Sequence, residues 1–346
     1  MDVTRTLARF VVDHNAGNVP PEVRHEATRS VVNWLGCAVG ACRHVTVERA
    51  LSALSPFSGP AEATVLGRGD RLDVMHAALM NGITSHTFDF DDTHLKTVIH
   101  PSGPVASAIL ALAERMPVSG ADFLHAFILG VEVECRIGNS VYPEHYNVGW
   151  HITGTTGVFG AAAAAGRLLK LNEQQMVWAM GIAATQSSGL REMFGTMCKP
   201  FHPGNAARNG LLAALLAQRD FTSSDQGIEA KRGFANVLST KFKPEEITEG
   251  LGKTWEISLN TYKPFACGIV IHPIIELRRA CDRQLAAADE RCRPRSQIPR
   301  ARERHSAGAP GESPHPALLG CRQTEGRRRS RARFGRLMVS IRSGPG

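Results

Sequence analysis

The residues best suited to chemistry lie in one segment, residues 86–105, which reads HTFDFDDTHLKTVIHPSGPV. It brings the carboxylates of Asp89, Asp91 and Asp92 together with Thr93 and several histidines, and it ends in a Pro-Ser-Gly turn. Burying acids costs free energy unless they are paired or functional. We therefore expect this segment to contribute to a functional site.

The spacing within the segment suggests which acids act together. If it is helical, Asp89 shares a face with Asp92 or Thr93, and Asp91 is turned away. The alternative is a solvated turn with a capping aspartate. His100 favours the functional interpretation, because the neighbouring proline and glycine define a loop that holds its imidazole in place.

Three further turns carry candidate residues. His151 lies in a glycine-bounded loop, GWHITGTTG, at a predicted helix start, where free backbone amides would attract a carboxylate. Lys199 lies in KPFHPG before another predicted helix, and Lys263 lies in KPFACG with His272 just beyond. Taken singly, each could be a structural histidine or a surface lysine.

The elements around these turns are mostly helical by their apolar spacing. We predict a mainly α protein with a large all-helical domain over residues 1–250 and the start of an α+β lid domain over residues 251–288. Strand-like alternation is confined to short stretches, residues 63–66 and 254–265. The predicted helices cover residues 23–38, 73–81, 105–115, 123–137, 158–169, 172–184, 203–219 and 223–238.

The net charge of +8 comes from the last 58 residues. Residues 289–346 contain 14 Arg, no Lys and 5 acids, whereas the preceding residues balance at −1. Such a tail could bind nucleic acid, but no aromatic platform or zinc spacing accompanies the arginines. We interpret it as an out-of-frame, disordered ending that replaces the rest of the lid, and we do not expect nucleic-acid binding.

Targeting and redox signals are weak throughout the chain. Charged residues interrupt the first 19 positions, and the longest apolar stretch, residues 158–165, is too short for a bilayer span. The eight cysteines show no CxxC pairs. We expect reduced thiols, no membrane association and a cytoplasmic location.

The motifs DFDDT, HPSG, GWHITGTTGVFGAAAA, KPFHPGNAARNG and KPFACG occur in one order over residues 1 to about 285. In this combination the chain resembles the MmgE/PrpD family, which includes 2-methylcitrate dehydratases and cis-aconitate decarboxylases. The resemblance implies a large helical domain with a smaller α+β lid, a homodimer, and no metal or organic cofactor. The dehydratases proper tend to carry DFNDT and HPSDN, so this chain resembles more closely the broader MmgE-like or decarboxylase-like branch.

The resemblance also implies roles for particular residues. Lys199 and Lys263 would clamp the carboxylates of a small polycarboxylate substrate, and His100 would transfer a proton at the substrate carbon. The remaining expectations are that His151 is a second acid/base or anion binder, Asp89 orients a histidine, Thr93 hydrogen-bonds the substrate, and His272 corresponds to another substrate-binding histidine.

Other hypotheses remain open. The family's lid continues past residue 290 and carries an active-site tyrosine, so the chain could be an inactive truncated member. An acidic DFDDT motif on a helical scaffold could instead bind Mg²⁺ and diphosphate, although no second acidic cluster is present. The third hypothesis, a nucleic-acid binder, depends on the basic tail alone.

Overall fold

The computed structural model describes residues 2–292, so most of the arginine-rich tail lies outside the described residues. The described chain divides into two compact units, one up to Cys267 and one from Gly268 on. The helices are α1 (Val3–Asp13), α2 (Pro21–Ala41), α3 (Val45–Leu54), α4 (Val74–His86), α5 (Ser102–Arg115), α6 (Gly120–Val141), α7 (Glu144–Val148), α8 (Ile152–Leu168), α9 (Glu173–Thr185), α10 (Cys198–Ala217), α11 (Phe234–Leu238), α12 (Glu245–Thr248) and α13 (His272–Cys292).

The protein is mainly α, as predicted, and its strands are only two residues long. Ala63–Thr64 (β1) pairs antiparallel with Arg71–Leu72 (β2), and Thr93–His94 (β3) pairs antiparallel with Asn260–Thr261 (β4). The strand pattern predicted over residues 254–265 is therefore wrong except at β4, because a 3-10 turn occupies Glu256–Leu259. Residues 251–267 belong to the helical unit, and a lid domain beginning at 251 stays a prediction.

Local capping signals account for several helix boundaries. Pro21 occupies the first turn of α2, Ser119 accepts a hydrogen bond from the amide of Asp122 at the start of α6, and Asn172 forms a capping box with Gln175 at α9. The helices predicted to start at residues 23, 123 and 172 begin within three residues of those positions. The helix predicted over residues 223–238 is wrong over residues 223–233, since only Phe234–Leu238 is helical.

The core of the helical unit is built around α8, whose residues are buried from Ile152 to Gly166. It packs against α5, α6, α9 and α10, and α10 also packs against α4. Small residues allow these close approaches. Searched over the described residues, the structure contains no helix both long and apolar enough to span a bilayer.

A close helix contact lies between Gly82 of α4 and Gly204 of α10. A Cβ atom added to Gly82 would lie 2.5 Å from the Cα atom of Gly204, which is backbone and cannot move aside cheaply. We therefore expect Gly82→Ala to lower the free energy of unfolding by about 1–3 kcal/mol in denaturant titrations. The matched control is Gly36→Ala on α2, where a Cβ meets nothing within 4 Å and helix propensity predicts a small gain. Equal effects of the two substitutions would contradict this.

A buried arginine ties the polar segment after α12 to the core. Arg136 of α6 pairs with Glu132 and donates to the carbonyl oxygens of Ile247, Glu249 and Thr254. The chain then continues through β4 to Tyr262, whose hydroxyl donates to the carboxylate of Glu26 on α2. These contacts fix the position of the residue that follows, Lys263.

Candidate active site

The acidic segment is a turn and not a helix. Helix α4 ends at His86, and β3 begins at Thr93. Asp89 has a φ of 50°, in the left-handed region that aspartate tolerates better than most residues. As a result Asp91 is fully buried inside the site, whereas a helix would have turned it away.

Two lysines converge on the carboxylate of Asp89. The Nζ atom of Lys199 lies 2.7 Å from Oδ2, and the Nζ atom of Lys263 lies 2.5 Å from Oδ1 and 2.9 Å from the Asp89 carbonyl oxygen. Both ammonium groups lower the pKa of Asp89 against the opposing effect of burial, so its carboxylate is ionised. The expected partner of Asp89 was a histidine, and the structure places two ammonium groups there.

The two lysines differ in exposure. The side chain of Lys199, in the first turn of α10, is 15% exposed, whereas that of Lys263 is 1% exposed. Lys263 also lies 3.8 Å from the Oδ1 atom of Asp91. Lys199 is therefore the cation that a ligand can reach, and Lys263 is a buried charge that holds the turn.

His100 is held by backbone and hydroxyl groups. Its Nδ1 atom lies 2.7 Å from the carbonyl oxygen of Asp92 and 3.2 Å from Oγ1 of Thr93, and its amide donates to Oγ1 of Thr153. Because a carbonyl only accepts, Nδ1 carries the proton and Nε2 keeps its lone pair for other partners. Burial, with the charge of Lys263, lowers the pKa of His100 to about 3.

Asp92 has a supporting position in the site. Its carboxylate accepts from Oγ of Ser102 at 2.6 Å and from the side-chain amide of Asn260 at 2.8 Å. Burial raises its pKa to about 7. These bonds connect the start of α5 to β4 and so fix the loop that carries His100.

His151 precedes α8 and pairs with His202 of α10. Their Nδ1 atoms lie 2.8 Å apart, which requires one ring to donate and the other to accept. Burial lowers the pKa of His151 well below its usual value and that of His202 to about 4. Both rings are therefore neutral near pH 7. The ring of His151 makes an edge-to-face contact with the ring of Phe194.

The structure adds a histidine and aspartate pair that was not predicted from the sequence. Nδ1 of His86 lies 2.6 Å from Oδ2 of Asp91, and both side chains are fully buried. The ring centroid of His86 is 4.9 Å from that of His100 and 5.8 Å from that of His151. The sequence prediction did not place the end of the helix at His86. Because a turn follows that helix end, Asp91 returns against the imidazole of His86.

A cavity of about 470 Å³ adjoins this cluster. His86, Asp89 and Lys199 are the cluster residues that line it, and Phe194 forms part of its apolar wall. The other residues on its wall are His44, Thr46, Thr87, Gly195, Thr196, Met197 and Pro200. The cavity is large enough for a small organic ligand.

One set of donor atoms in the described residues has the spacing of a cation site. Nitrogen or oxygen atoms of His86, Asp89 and His100 lie within 4.8 Å of one another. Asp89 already forms ion pairs with the ammonium groups of Lys199 and Lys263, and both would repel a metal ion bound there. This donor set therefore fits a metal poorly, and we do not identify it as a metal centre.

The predicted site residues thus fall into two groups. Asp89, Thr93, His100, His151 and Lys263 lie in the helical unit with Lys199. His272 begins α13 in the second unit, so its predicted contact with substrate stays a prediction. The fold and the cluster together define an α-helical protein whose site combines reachable positive charge with several neutral imidazoles.

Comparison with known proteins agrees with this description. The MmgE/PrpD N-terminal domain matches residues 5–247, and the chain belongs to the MmgE/PrpD family. It is 31% identical over 288 residues to a cis-aconitate decarboxylase of Aspergillus terreus, a match covering 79% of this chain and 59% of that protein. It is 28% identical over 299 residues to the cis-aconitate decarboxylase of Homo sapiens, covering 82% and 60%. The chain therefore spans about 60% of the length of these relatives.

Proposed function

We propose that this protein is a lyase that acts on a small polycarboxylate, with decarboxylation of a cis-aconitate-type substrate as the favoured reaction. The observation that carries the proposal is the convergence of Lys199 and Lys263 on one carboxylate beside a cavity that adjoins buried histidines. In the absence of substrate, Asp89 occupies the position that a substrate carboxylate would take. The relatives named as cis-aconitate decarboxylases favour decarboxylation over dehydration.

Substrate binding in this proposal depends on an exchange of partners at Lys199. The two ammonium groups are balanced by the ionised carboxylates of Asp89 and Asp91. A substrate with several carboxylates can replace Asp89 on Lys199, whereas a monocarboxylate gains little binding free energy by doing so. Lys263 stays with Asp89 and keeps the turn in place. Thr93 remains the proposed hydrogen-bond donor to substrate.

Catalysis in this proposal needs a sink for electrons and a source of a proton. When the carbon–carboxylate bond breaks, carbon dioxide leaves and the electron pair stays on the substrate carbon, conjugated with a second carboxylate. An ammonium group beside that carboxylate stabilises the developing charge. His100 and His151 are the proposed acid/base residues, and as neutral rings near pH 7 they are better placed to accept protons than to donate them.

The test is turnover by the 346-residue chain. Labelled cis-aconitate, citrate and 2-methylcitrate are incubated separately with the protein, and NMR follows release of carbon dioxide or water. We expect decarboxylation of cis-aconitate to be the fastest reaction. If the protein dehydrates citrate or 2-methylcitrate and does not decarboxylate cis-aconitate, dehydration replaces decarboxylation as the proposed reaction. Binding of these acids without any turnover would support an inactive truncated family member. A rise in melting temperature with Mg²⁺ and diphosphate, but not with tricarboxylates, would contradict the proposal.

Four further expectations stay predictions, namely a homodimer, a cytoplasmic location, the absence of a cofactor requirement and a role for His272 in substrate binding.

A further inference from the structure

The pair formed by His86 and Asp91 has features of an acid/base unit. A carboxylate bonded to one imidazole nitrogen fixes the tautomer, stabilises the protonated ring, and leaves the second nitrogen to act on substrate. In His86 the first nitrogen, Nδ1, bonds Asp91 at 2.6 Å. The second, Nε2, is buried and has no hydrogen-bond partner among the described residues.

The position of Nε2 makes this feature informative. A buried nitrogen without a partner costs free energy unless a bound group completes its hydrogen bonding. His86 also lines the 470 Å³ cavity together with Asp89 and Lys199. A ligand held at Lys199 would therefore lie next to an imidazole that is hydrogen-bonded to a carboxylate.

The neighbouring histidines are backed differently. Nδ1 of His100 bonds a neutral backbone carbonyl and lies 3.8 Å from Oδ1 of Asp91, and Nδ1 of His151 bonds another imidazole. Neither hydrogen-bond partner carries the negative charge that stabilises an imidazolium. Among these three rings, only the His86 ring bonds a carboxylate in this way.

We propose that His86, oriented by Asp91, is the catalytic residue that donates the proton to the substrate carbon. This inference rests on the proposed function. As carbon dioxide leaves, its former bonding electron pair forms a bond to the proton on Nε2. The N–H bond breaks, the ring becomes neutral against Asp91, and solvent returns the proton after product leaves.

The charged and titratable groups around His86 are Asp91, Asp89, His100, His151, His202 and Lys199. Asp91→Asn removes the negative charge beside the ring, so we expect it to lower kcat.

The kinetic test compares His86→Gln with His76→Gln. His76 also bonds an aspartate, Asp73, at 2.6 Å on the same helix, but it does not line the cavity. We expect His86→Gln to lower kcat about a hundredfold with KM changed less than about threefold. His76→Gln should leave kcat and the pH profile unchanged. A kcat for His86→Gln within about threefold of wild type would overturn the proposal.

A second measurement does not depend on turnover. Protein labelled with ¹⁵N-histidine is titrated with citrate, and the Nε2 resonance of His86 is assigned from its loss in His86→Gln. We expect citrate to shift this resonance, and Asp91→Asn to weaken that response. Citrate binding without any change at His86 would overturn this inference alone. Failure of citrate and cis-aconitate to bind at all would overturn the proposed function as well.

Discussion

Lys263→Met lowers kcat/KM by about a thousandfold or more, and this is the largest effect that we expect on activity. The ammonium group of Lys263 is 1% exposed and bonds both the carboxylate and the carbonyl oxygen of Asp89. Without it the left-handed turn at Asp89 loses its anchor, and Asp91 loses a compensating charge 3.8 Å away. The change also leaves buried carboxylates less well paired, which should reduce the free energy of unfolding by about 3 kcal/mol.

The measurement must separate lost chemistry from lost folding. kcat/KM is determined well below the melting temperature of the variant, with circular dichroism to establish that it is folded. The control is Lys96→Met, because Lys96 forms an ion pair of 2.7 Å with Glu246 but is 46% exposed. We expect that control to retain activity and to lose less than about 1 kcal/mol. A folded Lys263→Met protein with activity within tenfold of wild type would show that this lysine is not needed.

The second large effect concerns a buried acid outside the site. Glu134 of α6 is fully buried, and neither of its carboxylate oxygens has a hydrogen-bond partner among the described residues. Burial raises its pKa well above the usual value of 4.5, so the folded protein keeps this group protonated. Its unfolded form ionises near 4.5, and stability therefore falls as pH rises from there towards the folded pKa, by about 1.4 kcal/mol per unit.

Glu134→Gln removes this titration while keeping the shape of the side chain. We expect the variant to be nearly equal in stability to wild type at pH 5 and, at about 1.4 kcal/mol per pH unit, more stable by about 4 kcal/mol at pH 8. The control is Glu132→Gln, two residues away in sequence but paired with Arg136 at 2.5 Å and with the amide of Glu256 at 2.8 Å.

That control should lose about 3 kcal/mol at pH 8, since Arg136 is left as an uncompensated buried charge. Urea titrations at both pH values give these differences. An unchanged slope of stability against pH in Glu134→Gln would mean that Glu134 has another proton partner.

Local signals made the helical architecture predictable. The caps at Pro21, Ser119 and Asn172 act within one turn of chain, so their physics is complete in a short window of sequence. The strand prediction over residues 254–265 was wrong outside β4 because this segment packs mostly against helices. Whether such a segment meets a helix or a neighbouring strand depends on tertiary packing and not on local sequence.

The cluster itself depends on distant contacts that spacing cannot supply. Lys263 and Asp89 are 174 residues apart, and their pairing follows from the β3–β4 ladder and the contacts of β4 with α2. The resemblance of the motifs indicated which loops would meet, but it did not indicate their partners. The role of Asp91 was missed because its direction depends on whether the residues after His86 form a helix or a turn.

The central claim is that Lys199 and its cavity bind a polycarboxylate, and calorimetric titration of cis-aconitate tests it most directly. The wild-type chain and Lys199→Met are titrated under identical conditions, with acetate as the monocarboxylate comparison. We expect saturable binding of cis-aconitate to wild type, affinity at least tenfold weaker in Lys199→Met, and no measurable acetate binding at the same concentrations. Equal affinity of the two proteins for cis-aconitate, or no binding by wild type, would contradict it.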